Sequence, residues 1–149
     1  NLVFRVVSGK DFQFEESGVP VDNVAWRLDY EASVTFDIGV APLGNTAYDR
    51  AKGSYKLLQY WSHGLPVVCS QTADNFLEDG INCLIVKRDD DWYERLRSLI
   101  SNPGLGKDIG TRGRELIEAR FSLAVKGPVF SGMIRDIVED QSKVEFYKP

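Results

Sequence analysis

Between Asp37 and Ser70 the chain reads DIGVAPLGNTAYDRAKGSYKLLQYWSHGLPVVCS, a stretch that few folds can accommodate. Asp37–Leu43 is an apolar run closed by Pro42 and Gly44, suited to a strand covered on both faces. A polar loop carrying Asp49, Arg50 and Lys52 is expected next. Gly53-Ser54 then opens a helix, with Ser54 able to cap it and Leu57, Leu58 and Trp61 at helical spacing. Gly64 stands where a left-handed cap is wanted, and Pro66 forbids continuation. Pro66–Cys69 follows as a second short buried strand. Strand, helix and strand in this order make a βαβ unit with parallel strands.

The loop that enters the helix is where a ligand would sit. Open parallel sheets bind ligands beyond the carboxyl ends of their strands, where helices begin. There the unpaired amides of Tyr55, Lys56 and Leu57 would face outward with the positive end of the helix dipole. Gly53 permits close backbone approach and Lys52 adds a cation, so the constellation suits a phosphate. A plainer interpretation has Ser54 capping an ordinary helix while the lysines are merely solvated.

The 149 residues amount to about one domain, large enough for a hydrophobic core. A net charge of −4 provides no electrostatic reason to expect a nucleic-acid partner. No apolar run approaches the ~20 residues of a membrane-spanning helix, and no signal peptide is recognisable, so a cytoplasmic location is expected. Cys69 and Cys83 both lie in apolar strands and read as reduced, buried side chains.

Elsewhere the pattern predicts a strand over Leu2–Val7, closed by Ser8-Gly9-Lys10. Residues 11–22 read as loop, and Val24–Trp26 as a short strand. After Ser70 a turn over Gln71–Asp74 and a helical turn over Asn75–Asp79, ended by Gly80, lead to a last strand at Cys83–Val86. Asp89, Asp90 and Asp91 suit a helix N-terminus and are read as caps; consecutive carboxylates on a helix start cannot all face one ion. Amphipathic helices are predicted over Trp92–Ile100, stopped by Asn102-Pro103-Gly104, and from Leu105 to Arg120, with Arg112 and Arg114 on a solvated face. A last helix from about Ser122 is expected to break or kink near Gly127-Pro128. His63 is placed to meet the last carbonyls of its helix.

AKGSYKLLQYWSHGLPVVCS, the preceding DIGVAPL, LEDGINCLIV and the helices beginning DDDWYERLRSLI resemble, in order and spacing, the donor domain of retaining glycosyltransferases of family 4. The resemblance runs over roughly residues 2 to 140. It implies a three-layer, Rossmann-like parallel sheet forming the C-terminal half of a GT-B fold, with residues 1–149 as a single nucleotide-sugar-binding domain. The chain opens at Asn1 on what resembles the family's second strand, so the usual first β-α unit is missing and a fragment, inactive alone, is expected. The segment Tyr30–Phe36 resembles the short helix before the strand at Asp37.

The resemblance implies transfer of a sugar from a nucleotide-diphosphate sugar to a glycan or lipid-linked acceptor, as in polysaccharide biosynthesis. The implied partners are that donor and an N-terminal acceptor domain, with peripheral membrane association possible through the latter. No metal or other cofactor is expected. Lys52, Gly53, Ser54, Tyr55 and Lys56 would hold the donor diphosphate, and Trp26 or Arg27 would meet the base, although Trp26 reads more readily as core packing. Members often carry two glutamates spaced as Ala51 and Gln59 are here. Gln59 can still accept from a ribose hydroxyl, whereas Ala51 cannot contact the sugar, leaving Asp49 as the substitute candidate. A subgroup with the Arg50–Tyr60 pattern R-x-K-x-x-Y-K-L-L-Q-Y lacks the first glutamate too. Two other classes come next: a non-catalytic sugar-nucleotide-binding or interaction module, which Ala51 and Gln59 would suit, and a receiver-like signalling domain. The latter needs an acidic pair after its first strand, where Ser8-Gly9-Lys10 offers none.

Overall fold

The computed structural model describes residues 2–8, 18–25, 34–44, 46–52, 55–71 and 76–139. Its strands are parallel throughout and fall into two sheets. The first pairs β1 (Phe4–Ser8) with β2 (Val21–Ala25), Phe4 opposite Val21 and Ser8 opposite Ala25. The second has the order β3 (Gly39–Ala41), β4 (Val67–Ser70) and β5 (Leu84–Val86). The parallel α/β architecture expected from the sequence is thus present.

Alternation along β4 creates the core. Val67 and Cys69 face one side with Leu57, Tyr60 and Trp61 of helix α2 (Tyr55–Ser62), while Val68 faces the other with Leu99 and Ile109. Those last two belong to α3 (Asp91–Ser101) and α4 (Pro103–Arg120), so helices cover both faces and the three-stranded sheet is the middle of three layers. Trp61 is fully buried, donates from Nε1 to the Asn82 carbonyl at 2.9 Å, and packs edge-on against Phe76. An indole buried with its N–H satisfied keeps the whole hydrophobic gain of its large surface.

The end of α2 is formed as its sequence requires. Gly64 adopts φ 69°, and its N–H reaches the Trp61 carbonyl at 2.9 Å while Leu65 reaches Tyr60 at 3.1 Å. The terminal Ser62 carbonyl accepts from the Arg114 guanidinium, not from His63, so Arg114 is more than a solvated charge. Helix α4 comes close here: a Cβ on Gly110 would overlap the Gly64 carbonyl oxygen, and one on Gly113 would overlap the Trp61 ring.

Several expected boundaries move. Val21 and Asp22 belong to β2 and not to a loop, because pairing starts at Phe4 N–H to Pro20 O (3.0 Å) and Arg5 binds Asp22 across the strands at 2.6 Å. Pro20 stands just before the strand, where its missing N–H costs no ladder bond and its carbonyl can still accept. Residues 34–36 are not helical; Thr35 presents its carbonyl to Arg5, and residues 30–33 of that predicted helix lie outside the described residues. No helical turn forms over 76–79, because the buried Asn82 side chain takes the Glu78 N–H (3.0 Å) and donates to the Phe76 carbonyl (2.8 Å). At α3, Asp90 makes no capping bond; Asp91 instead accepts from the Arg88 N–H and guanidinium, both at 3.1 Å, which hold its carboxyl below the usual range. Asn102 ends α3 and caps α4, accepting from Leu105 N–H at 3.1 Å, with Pro103 as the first helical residue.

The last helix, α5 (Leu123–Glu139), runs through Pro128 as one element instead of breaking. Pro128 stands near its beginning and is exposed, so the carbonyl it leaves without a helical donor is open to water. Among the described residues no helix is long and apolar enough to cross a membrane.

Candidate functional site

The carboxyl ends of β3 and β4 define one rim of the second sheet. They are joined beyond the ladder: Leu43 N–H donates to Ser70 Oγ at 3.0 Å. From this rim the chain passes into α1 (Ala47–Ala51), a short helix where a polar loop was expected. No apolar periodicity announces α1. What forms it is a capping box: Thr46 Oγ1 accepts from Asp49 N–H (3.2 Å), and Asp49 Oδ2 accepts from Thr46 N–H (3.2 Å) and Thr46 Oγ1 (2.6 Å). The T-x-x-D spacing from Thr46 to Asp49 was the sequence signal for it.

Asp49 therefore spends its carboxylate on the cap of α1. Lys52 closes the helix, its N–H reaching the Tyr48 carbonyl at 3.0 Å, and its ammonium lies 5.9 Å from the Tyr48 ring centroid. Tyr48 and Lys52 are both exposed. Gly53 and Ser54 lie outside the described residues, as do Trp26 and Arg27, and so does the Ala51 side chain.

Helix α2 resumes the site with Tyr55 and Lys56 exposed in a first turn that has no acidic residue. Gln59, half-buried, follows Lys56 by one turn. Behind them Leu57 and Tyr60 are buried, and Tyr60 Oη donates to the Val40 carbonyl of β3 at 3.3 Å, which pins α2 against the sheet. Along the connection from the rim into α2, Lys52, Tyr55 and Lys56 are thus exposed and Gln59 half-buried. Among the described residues no group of His, Cys, Asp and Glu side chains is arranged to hold a metal ion.

A family model described as glycosyl transferase-like matches residues 30–126, from before β3 into the start of α5. The chain belongs to this glycosyl transferase-like family. No curated protein matches it. The family match spans the whole of the second sheet and α1 to α4, which includes Asp49, Lys52, Tyr55, Lys56 and Gln59; β1 and β2 lie before it. Parallel strands flanked by helices on both faces are what a Rossmann-like domain of such a glycosyltransferase requires, and the family assignment and the fold agree.

The two cysteines fall away from this rim and into the core. Both are free and fully buried. A hydrogen bond with the Cys83 thiol, and then burial, push the Cys69 thiol far above its usual range, so it stays protonated and unreactive at neutral pH.

Proposed function

We propose that these residues form the donor half of a GT-B glycosyltransferase, one unit that binds a nucleotide-diphosphate sugar for retaining transfer to a glycan or lipid-linked acceptor. The observation that carries this reading is the start of α2: Tyr55 and Lys56 are exposed, the first turn has no acidic residue, and the exposed Lys52 precedes it on the connection from parallel strand β3. In this reading the amides of Gly53, Ser54 and Tyr55 receive the diphosphate, and Lys52 and Lys56 balance the charge that grows on the departing nucleotide. Those two ammonium groups do the work for which other transferases use a metal, so no cofactor is required. Gln59 accepts from a ribose hydroxyl, and Trp26 or Arg27 meets the base. Thr46 already donates to Asp49 Oδ2, so serving the sugar through that oxygen would cost about 1 kcal/mol of helix capping. Acceptor groups come from a partner half of the enzyme.

A nucleoside diphosphate titrated into the labelled chain tests this. The amides of residues 52 to 57 should move, with an affinity of roughly millimolar, equivalent to about 4 kcal/mol. Lys52→Ala should weaken binding by about 0.5–1.5 kcal/mol, below the ~1.5–3 kcal/mol of buried charge-assisted bonds because the ammonium is exposed. If UDP, GDP and ADP all leave these amides unmoved at millimolar concentration, α2 is a structural helix and its lysines are solvated charges.

A further inference from the structure

We propose that Tyr48 forms a ring-binding subsite beside Lys52, taking the apolar face of the ring nearest the phosphate in a phosphorylated ligand. The inference shares Lys52 with the diphosphate reading above and rests on it for the position of the phosphate.

Tyr48 and Lys52 are four residues apart, and the Lys52 N–H to Tyr48 carbonyl bond of 3.0 Å closes the turn that puts them on one face. The ring and the ammonium are in contact range, 5.9 Å from centroid to Nζ. The ammonium lies over one face of the ring, so an anion that engages it arrives beside the Tyr48 ring. The ring itself is 72% exposed and, among the described residues, belongs to neither core cluster; Lys52 is the contact the structure gives it. Its backbone is nonetheless held: the reciprocal Thr46–Asp49 capping box closes the turn from the other end. A tyrosine held in place and left open provides a flat amphipathic surface at little further loss of conformational entropy. The chemistry it fits is a ring with an apolar face carried next to a phosphate. The pyranose of a nucleotide-sugar and its nucleoside both satisfy that description.

Three ligands separate the sources: inorganic pyrophosphate, UDP and UDP-glucose, each titrated against the 149-residue chain and its Tyr48→Ala and Tyr48→Phe variants. Ring-proton shifts of Tyr48 and amide shifts of residues 52 to 57 are followed together. Tyr48→Ala should raise the dissociation constant of a ring-bearing ligand about two- to tenfold, while Tyr48→Phe stays within about twofold. Pyrophosphate binding should be unchanged in both variants. A loss already seen with UDP assigns the nucleoside to the ring, and a loss confined to UDP-glucose assigns the sugar. If amides 52 to 57 move but the Tyr48 ring does not, and Tyr48→Ala binds all three ligands as wild type does, the subsite is wrong and the diphosphate site stands. If the Tyr48 ring moves while amides 52 to 57 stay still, the ring subsite stands and the diphosphate site is wrong. If neither responds, both fall.

Discussion

Helices α4 and α5 are nearly equal in length, 18 and 17 residues, and each carries glycines and an aliphatic stripe, yet they sit in opposite environments. In α4 the residues Gly106, Ile109, Gly110 and Gly113 are all buried. In α5 none is buried, and Phe130, Met133, Ile134 and Ile137 lie on an open face. Glycines in α4 are small because something occupies the space beside them, the Gly64 carbonyl and the Trp61 ring. Gly132 of α5 has nothing within 4 Å of where a Cβ would stand. The same residue type at the same kind of position is a packing requirement in one helix and only a loss of helix propensity in the other.

The sharpest way to break that comparison is Gly110→Val. Its side chain would collide with backbone that cannot retreat, since Gly64 is committed to the left-handed cap of α2. We expect a loss of roughly 3 kcal/mol or more, a large part of the stability of a domain of this size, read as a lowered urea midpoint. A variant as stable as wild type would mean that α4 does not pack on α2 this closely.

A smaller effect should appear on raising pH. In the folded chain the Cys69 thiol holds its proton well above the ordinary value of ~8.5, whereas in the unfolded chain it ionises there. Above that pH the native state binds more protons than the unfolded one, so stability should fall by up to about 1.4 kcal/mol per pH unit from this group; below it the group's full contribution is retained and its slope vanishes. Denaturant melts under reducing conditions from neutral to mildly alkaline pH would register the fall. Cys69→Ala should make it shallower, and an unchanged slope would place the titration elsewhere.

The smallest effect, of opposite sign, belongs to α5. Gly132→Ala should stabilise the chain by no more than about 0.5–1 kcal/mol, because it adds helix propensity and meets no neighbour. A clear destabilisation would show that this face is covered in solution.

Much of the site was legible because its signals are local. Gly64 and Pro66 mark the end of α2, the apolar spacing of Leu57 and Trp61 marks its inner face, and the run at Val67–Cys69 marks a strand covered on both sides. Tyr60 was less legible, since a tyrosine at helical spacing suits a core or a surface; the Val40 carbonyl decided for the core. Helix α1 was missed because a one-turn helix has no room for apolar periodicity and depends on the Thr46–Asp49 exchange. That exchange also changes how Asp49 reads, from a free carboxylate in a loop to one already engaged.

The sequence by itself determined the βαβ unit of β3, α2 and β4, the parallel pairing that this order requires, and the ends of α2. Hydrogen bonding within a few residues and the periodicity of apolar side chains are sufficient for these, as neither needs a distant partner. Only the tertiary structure decided which apolar stripe is covered, which glycines touch a neighbour and which polar side chains are already spent. Asn82 shows the reason: it satisfies Glu78 and Phe76 nearby while its carbonyl receives the indole of Trp61, 21 residues earlier. A buried polar group must find its partner wherever the fold brings one, and that pairing is written in no local pattern.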